Sequence, residues 1–307
     1  MNDLHISASP HIYSPRTTQN IMLDVLIALL PASVAGILIF GIRALAVIAV
    51  CVFFAVISEF IFNKICKKDN TIGDLSAAVT GLLLALNLPS NIPLWQGAVG
   101  AVFAIVVVKC LFGGIGQNFA NPAITGRVFM LITFGSMTSA AIPKIVDTAS
   151  SATPLASLAN GESVGLLELF LGAHGGTIGE TCILAILIGG IYLIARKVIV
   201  PHTPVAFITT VFVLSLLVTK DFTVALEYIL SGGLFIGAFF MATDYATTPF
   251  TAWGKVIFGI GAGAITVLIR FWGAYPEGVS FAILLMNILT PYIDKLTEKK
   301  PFGGAKS

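Results

Sequence analysis

Charge is scarce in this chain: Asp, Glu, Lys and Arg make up 10% of its 307 residues, where a soluble domain carries about 25%. Hydrophobic residues account for 57% and the mean hydropathy is +0.97. So few polar groups cannot cover a globule of this size, which excludes a water-soluble fold and indicates an all-α integral membrane protein. Cysteine is sparse too. Cys51, Cys66, Cys110 and Cys182 form no CxxC and no metal-ligand spacing, so neither a zinc site nor an iron–sulfur cluster is expected. Cys51, Cys110 and Cys182 lie in apolar stretches, where cysteine packs as a small hydrophobe. The four histidines (His5, His11, His174, His202) stand near span ends or in loops, with no pair at ligand spacing. There is no nucleotide-binding fingerprint, and the net charge of +2 follows from loop charge rather than from a nucleic-acid surface.

What the chain has is long apolar runs. Ten of them, about 21–41, 44–63, 73–88, 94–112, 121–139, 178–195, 203–219, 225–242, 253–271 and 277–294, approach the roughly 17–25 residues that cross a bilayer as helix. The first follows a polar segment rich in Ser, Thr and Pro, without a basic n-region or a small-residue cleavage site, and is not expected to be a cleaved signal peptide. With the N-terminus inside, twelve lysines and arginines fall on the cytoplasmic side. Arg43, Lys144, Lys220 and Arg270 fall outside, and Arg127 lies within a span. That bias sets both termini in the cytoplasm and the 140–177 loop outside.

Shifting the chain by about 154 residues lays the five runs of one half on those of the other. The punctuation repeats: Asn87-Leu88-Pro89 ends the third run of the first half, and Thr243-Asp244, leading on to Pro249, that of the second. Asn121-Pro122 opens one fifth run and Tyr275-Pro276-Glu277-Gly278 the other. An odd number of spans per half implies opposite insertion, so two inverted five-helix repeats with broken helices meeting near the midplane are expected. The layout is a cytoplasmic segment at 1–20, a membrane repeat at 21–139, an extracytoplasmic loop at 140–177, a second repeat at 178–294 and a cytoplasmic tail at 295–307.

Gly113–Arg127 (GGIGQNFANPAITGR) is the densest unusual stretch. Its glycines permit tight turns, Asn118 and Asn121 can satisfy freed backbone groups, and the helix that follows would aim its positive end into the protein. Such a place suits an anion, a flavin carbonyl or a ligand oxygen, and equally a helix-hairpin joint that needs small residues. Its counterpart is Gly232–Pro249, where Asp244 could balance a cation, meet a bound ring, or cap a helix. Ionisable residues within spans are expensive and count as functional candidates: Asp24, Glu59, Asp74, Arg127, Glu227 and Glu277. Arg127, about one turn beyond the Asn121-Pro122 break, needs a partner, with Asp74 and Asp244 as candidate carboxylates. Glu59 suits an ion path or a structural pair.

One polar loop interrupts the apolar sequence with Asp147-Thr148-Ala149-Ser150-Ser151-Ala152-Thr153-Pro154-Leu155. A hydroxyl among small residues, with a carboxylate six positions upstream, suits an enzyme that must reach a threonine.

Together, SPHIYSPRTTQNIMLDVLIALLPA, TGLLLALNLP, GGIGQNFANPA, SSATPL, GAFFMATD and YPEGVSFAILLMN mark a resemblance over essentially the whole chain. It resembles the family that holds the D subunits of Rnf complexes and, more distantly, the B subunits of Na+-translocating NADH:quinone oxidoreductases. Members carry FMN on a threonine through a phosphodiester, in a motif D-x-x-[ST]-G-A-T. The motif maps onto Asp147, Ser150, Ser151, Ala152 and Thr153, with Ser151 in place of the family's glycine, a small-for-small change. Thr153 is the implied acceptor, and an FMN transferase is the implied maturation partner. The resemblance extends to a non-covalent riboflavin, for which the two helix breaks, with Asn118, Asn121, Arg127 and Asp244, are the candidate site.

By the same resemblance the chain is one component of a redox pump in a prokaryotic cell membrane. Such a pump passes electrons from ferredoxin to NAD+ and moves Na+ or H+ outward. Partner subunits would include further membrane subunits, a second FMN-bearing subunit, and those that react with ferredoxin and NADH. The fold also looks like that of urea and ammonium channels. A channel or transporter for a small solute or ion, with the loop a passive connector, is therefore the alternative. Flavin on Thr153 separates the two.

Overall fold

A computed structural model of the chain describes residues 16–138, 141, 143, 153–273 and 277–298. Asp147, Ser150, Ser151 and Ala152 of the loop motif lie outside the described residues, as do 1–15 and 299–307. Among the described residues the regular structure is helical, apart from one isolated antiparallel bridge between Ala141 and Gly176. The protein is an all-α membrane protein.

Among the described residues five helices are long and apolar enough to cross a membrane: α1 (Thr18–Phe40), α2 (Ile42–Ile65), α9 (His202–Thr219), α12 (Ala252–Trp272) and α13 (Val279–Thr297). Four of the other runs form shorter helices than expected: α3 (Ser76–Leu86), α4 (Leu94–Cys110), α5 (Pro122–Thr133) and α8 (Ile183–Ala195). The run at 225–242 divides into α10 (Phe222–Leu230) and α11 (Leu234–Met241), bent by 63°. Two one-turn-and-a-half helices, α6 (Pro154–Ala159) and α7 (Leu166–Leu171), fill part of the polar loop.

The shortening has local causes. Asn87 closes α3 ahead of Pro89, whose missing N–H cannot extend a helix, and Asn87 Nδ2 donates back to the Leu83 carbonyl at 2.7 Å. Asn121 caps α5 by accepting the Ala123 and Ile124 N–H groups, with Pro122 in the first turn, where its fixed φ suits helix entry. Between α10 and α11 stands Gly232 at φ +68°, a left-handed conformation that glycine adopts freely.

Small residues let the helices approach closely, the usual basis of packing in lipid. On α12 a Cβ at Gly259 would lie 2.8 Å from the Thr203 carbonyl oxygen of α9, and one at Gly263 would lie 2.7 Å from Thr210 Cβ. On α8 a Cβ at Gly189 would collide with the Ala28 carbonyl oxygen of α1. The outer surface is apolar, with Leu38, Phe53, Ile132, Leu217 and Trp253 all well exposed. Glu59, Lys109, Arg127, Glu180 and Glu227 are buried. That inside-out distribution suits a lipid solvent.

Candidate functional site

Two of the clefts in the helical body carry charged and polar side chains in otherwise apolar walls. The first is walled by the ends of short or broken helices: Asn87 closing α3, Arg127 on α5, Thr153 heading α6, Thr177 and Glu180 in the turn before α8, Gly232 between α10 and α11, and Glu277 with Ser280 at the head of α13. Its empty space is about 790 Å³, counting the part open to solvent.

Arg127 is the charge at its centre, and the side chain is almost fully buried. Its Nη1 donates to Asn87 Oδ1 at 2.6 Å, and its Nη2 donates to both oxygens of Glu277. Neither expected carboxylate is its partner. Asp74 accepts the Ser76 N–H at 2.8 Å and shapes the start of α3, while Asp244 accepts the Thr247 hydroxyl at 3.1 Å in the second cleft. Glu277 reaches Arg127 because the break before α13 delivers the head of that helix to the cleft. A second arginine, Arg270 on α12, lies beneath. It donates to the carbonyls of Ser231 at 3.0 Å and Glu277 at 3.3 Å, and thereby ties down the α10–α11 break.

Four buried polar atoms of this cleft have no protein partner: Arg127 Nε, Thr177 Oγ1, Glu180 Oε2 and Ser280 Oγ. Buried polar groups are ordinarily paired, so their clustering marks a place built for a polar ligand or water. In the turn outside the helices, burial and then the nearby Glu277 carboxylate push the Glu180 carboxyl above its ordinary range, against the opposite pull of Arg127. Thr153 is half-buried at the rim. Its Oγ1 accepts the Ala156 N–H at 3.3 Å, and Pro154 occupies the first turn of α6.

The second cleft, about 740 Å³ on the same reckoning, is lined by Ser76, Lys109, Asn118, Asn121, Phe239, Phe240 and Asp244 among others. Lys109, assigned by sequence to the cytoplasmic margin, is buried and pairs with Glu59 at 2.8 Å. Thr71 also donates to that Glu59 oxygen at 2.7 Å. Glu59 is thus a member of a structural pair. Asn118 donates to the Ala120 carbonyl at 3.2 Å and Asn121 to the Met241 carbonyl at 3.4 Å. Burial raises the Asp244 carboxyl, opposed by hydrogen bonds from Thr247 and from the Ala246 and Tyr245 N–H groups.

The four residues expected to share one intramembrane site are therefore divided. Arg127 stands with Thr153 in the first cleft, and Asn118, Asn121 and Asp244 stand in the second. The clefts meet back to back at Asn87, whose Nδ2 lies 3.8 Å from Met241 Sδ, and Met241 in turn bonds Asn121. Sequence reasoning did not single out Asn87, Thr177, Glu180 or Ser280 as site residues. The Asn87-Leu88-Pro89 break pointed near the first. Glu180, one acid in a Gly- and Thr-rich turn, carries no such mark.

A multi-pass helical membrane protein with two polar clefts built on broken helices is the class that this architecture defines. The chain belongs to the NQR2, RnfD, RnfE family, whose profile matches residues 5–303. It is similar to the D subunit of the Na(+)-translocating ferredoxin:NAD(+) oxidoreductase complex of Acetobacterium woodii, 48% identical over 314 aligned residues that cover 100% of this chain and 98% of the relative. It is 43% identical to the D subunit of the proton-translocating ferredoxin:NAD(+) oxidoreductase complex of Clostridium ljungdahlii, over 98% of this chain and 97% of that one. To the D subunit of the ion-translocating oxidoreductase complex of Salmonella typhi it is 37% identical, over 98% and 99%.

Proposed function

We propose that the chain is a membrane component of an ion-pumping ferredoxin:NAD+ oxidoreductase complex, carrying FMN as a phosphodiester on Thr153. It is part of a translocase, as its full-length relatives are named, and the sites for ferredoxin and NAD+ belong to partner subunits. The observation that carries the flavin reading is the position of Thr153 on the rim of a cleft with a buried arginine and four unpartnered polar atoms.

The cleft residues fit such a group. Arg127 offers positive charge and a free Nε–H, Thr177 and Ser280 offer hydroxyls, and Glu180 offers a carboxyl oxygen. Leu131, Met137 and Phe281 supply apolar wall for a flat ring. A flavin bound there supplies one- and two-electron chemistry. The protein's share is to hold it, to fix the charge beside it and to limit water. Asp147, Ser150, Ser151 and Ala152 would present the threonine to an FMN transferase.

The second cleft, with Asn118, Asn121 and Asp244, is the candidate place for a non-covalent riboflavin. Arg127, on the far side of Asn87, belongs to the first. The reading also takes the chain as ten spans or half-spans in two inverted repeats, like urea and ammonium channels. Helix breaks at Asn87–Pro89 and Ser231–Gly233 support it. Lys109 lines the second cleft, and Arg196 and Lys197 fall in sequence between its lining residues Leu193 and Val198, which supports placing that cleft toward the cytoplasm and Thr153 outside, with both termini cytoplasmic.

Chain produced together with an FMN transferase, denatured and separated on a gel, should fluoresce under ultraviolet light, and Thr153→Val should be dark. A dark wild-type band would favour the channel alternative, and a fluorescent Thr153→Val would move the attachment elsewhere.

A further inference from the structure

Glu180 is 6% exposed in the turn ahead of α8. Its Oε1 accepts the Thr177 N–H at 3.1 Å, while Oε2 is buried without a protein partner. A bare carboxylate oxygen away from water is costly. The charged groups that face it are Glu277 at the head of α13, Arg127 on α5 and Arg270 on α12. Gly233, between α10 and α11, shows how closely three of them converge. A Cβ built there would lie 3.2 Å from Glu277 Oε1, 3.4 Å from Arg127 Nη1 and 3.6 Å from Glu180 Oε2.

Neither arginine donates a hydrogen bond to Glu180 among the described residues. Arg127 is turned to Asn87 and Glu277, and Arg270 to the carbonyls of Tyr228, Ser231 and Glu277. Glu180 Oε2 and Glu277 Oε1 border the same small space at Gly233. Two carboxylates at such range repel strongly if both are ionised. One proton on Glu180 Oε2 removes the bare charge and the repulsion together, because the O–H then donates to the carboxylate that Arg127 holds.

We propose that Glu180 is a proton-binding site in the wall of the Thr153 cleft, a carboxylic acid that shares its proton with Glu277. The proposal goes beyond the flavin reading and rests on side chains of this chain alone. With Glu180 ionised, two arginines and two carboxylates cancel. With it protonated, the cleft keeps one net positive charge, which favours an anionic occupant, and by linkage an anionic occupant holds the proton on.

A carboxyl that binds its proton more tightly in the folded state contributes stability that is present on the acid side. That stability is lost as pH rises from the ordinary carboxylate range through the raised one. Infrared spectra of the purified full chain test the assignment. The wild type should show a protonated-carboxyl band at neutral pH that shifts in D2O, fades as pH rises, and is missing from Glu180→Gln. Wild-type and Glu180→Gln spectra without that difference would overturn the proposal. Melting curves give a second reading, since glutamine mimics the protonated acid. Glu180→Gln should match the wild-type Tm at acidic pH and lack the decline as pH rises through the raised carboxyl range, and Glu180→Ala should melt lower. A Glu180→Gln Tm as low as that of Glu180→Ala would also overturn it. Gel fluorescence on the same samples reports the covalent flavin separately, so a dark band with the carboxyl band intact would sink the flavin reading alone.

Discussion

A buried arginine in an apolar chain dictates what surrounds it, because its charge cannot be left without a partner in low dielectric. Arg127 meets this demand with Asn87 and Glu277, drawn from helices far apart in sequence. Removing the guanidinium leaves Glu277 uncompensated, so Arg127→Ala should destabilise the protein by about 3–5 kcal/mol. Arg127→Lys should recover only part of the loss, because an ammonium cannot reproduce the fork that reaches both partners. Thermal melts of the purified variants check both. The sequence marked Arg127 as needing a partner but not which one. Asp74, Asp244 and Glu277 are all acids beside helix breaks, and only the packing of α13 against α5 distinguishes them. Glu180 was illegible for a similar reason, since its burial comes from elements that close over its turn.

At the scale of the element, the breaks were readable because proline, asparagine and glycine act locally. Asn87-Leu88-Pro89 and Asn121-Pro122 end and begin helices where the residues themselves demand it. Helix length was less readable: apolar runs continue past the points where α3 and α5 stop, and one begins ahead of the start of α8, since apolar composition does not distinguish a helix from the buried turn beside it. The bend at Gly232 falls at the first residue of the Gly232–Pro249 stretch expected to be broken, ahead of the Thr243-Asp244 punctuation that marks it in sequence. Close packing between α1 and α8 depends on Gly189, whose added Cβ would meet backbone that cannot yield. Gly189→Val should therefore lower Tm and the yield of folded protein, whereas a valine at lipid-facing Ile191 should have little effect. Similarly, Lys109→Met should cost more than the Lys109→Met/Glu59→Gln pair, because the single change strands a buried carboxylate. A double-mutant cycle measured by melting gives the answer.

Taken whole, the molecule inverts the soluble pattern, with apolar surface outside and polar clefts within, and composition alone foretold that much. The two-cleft division was not foretold. The two breaks read in sequence as walls of a single cavity holding Asn118, Asn121, Arg127 and Asp244, whereas Asn87 and Met241 stand between Arg127 and the other three. With Thr153 on the rim of the first cleft, the electron-carrying reading depends on one covalent bond. Mass spectrometry of the peptide from Ile145 to Arg196, taken from chain produced together with an FMN transferase, tests it most directly. The peptide should carry the added mass of one phosphodiester-linked FMN, with fragmentation placing it on Thr153. Recovery of that peptide only in its unmodified form would contradict the account.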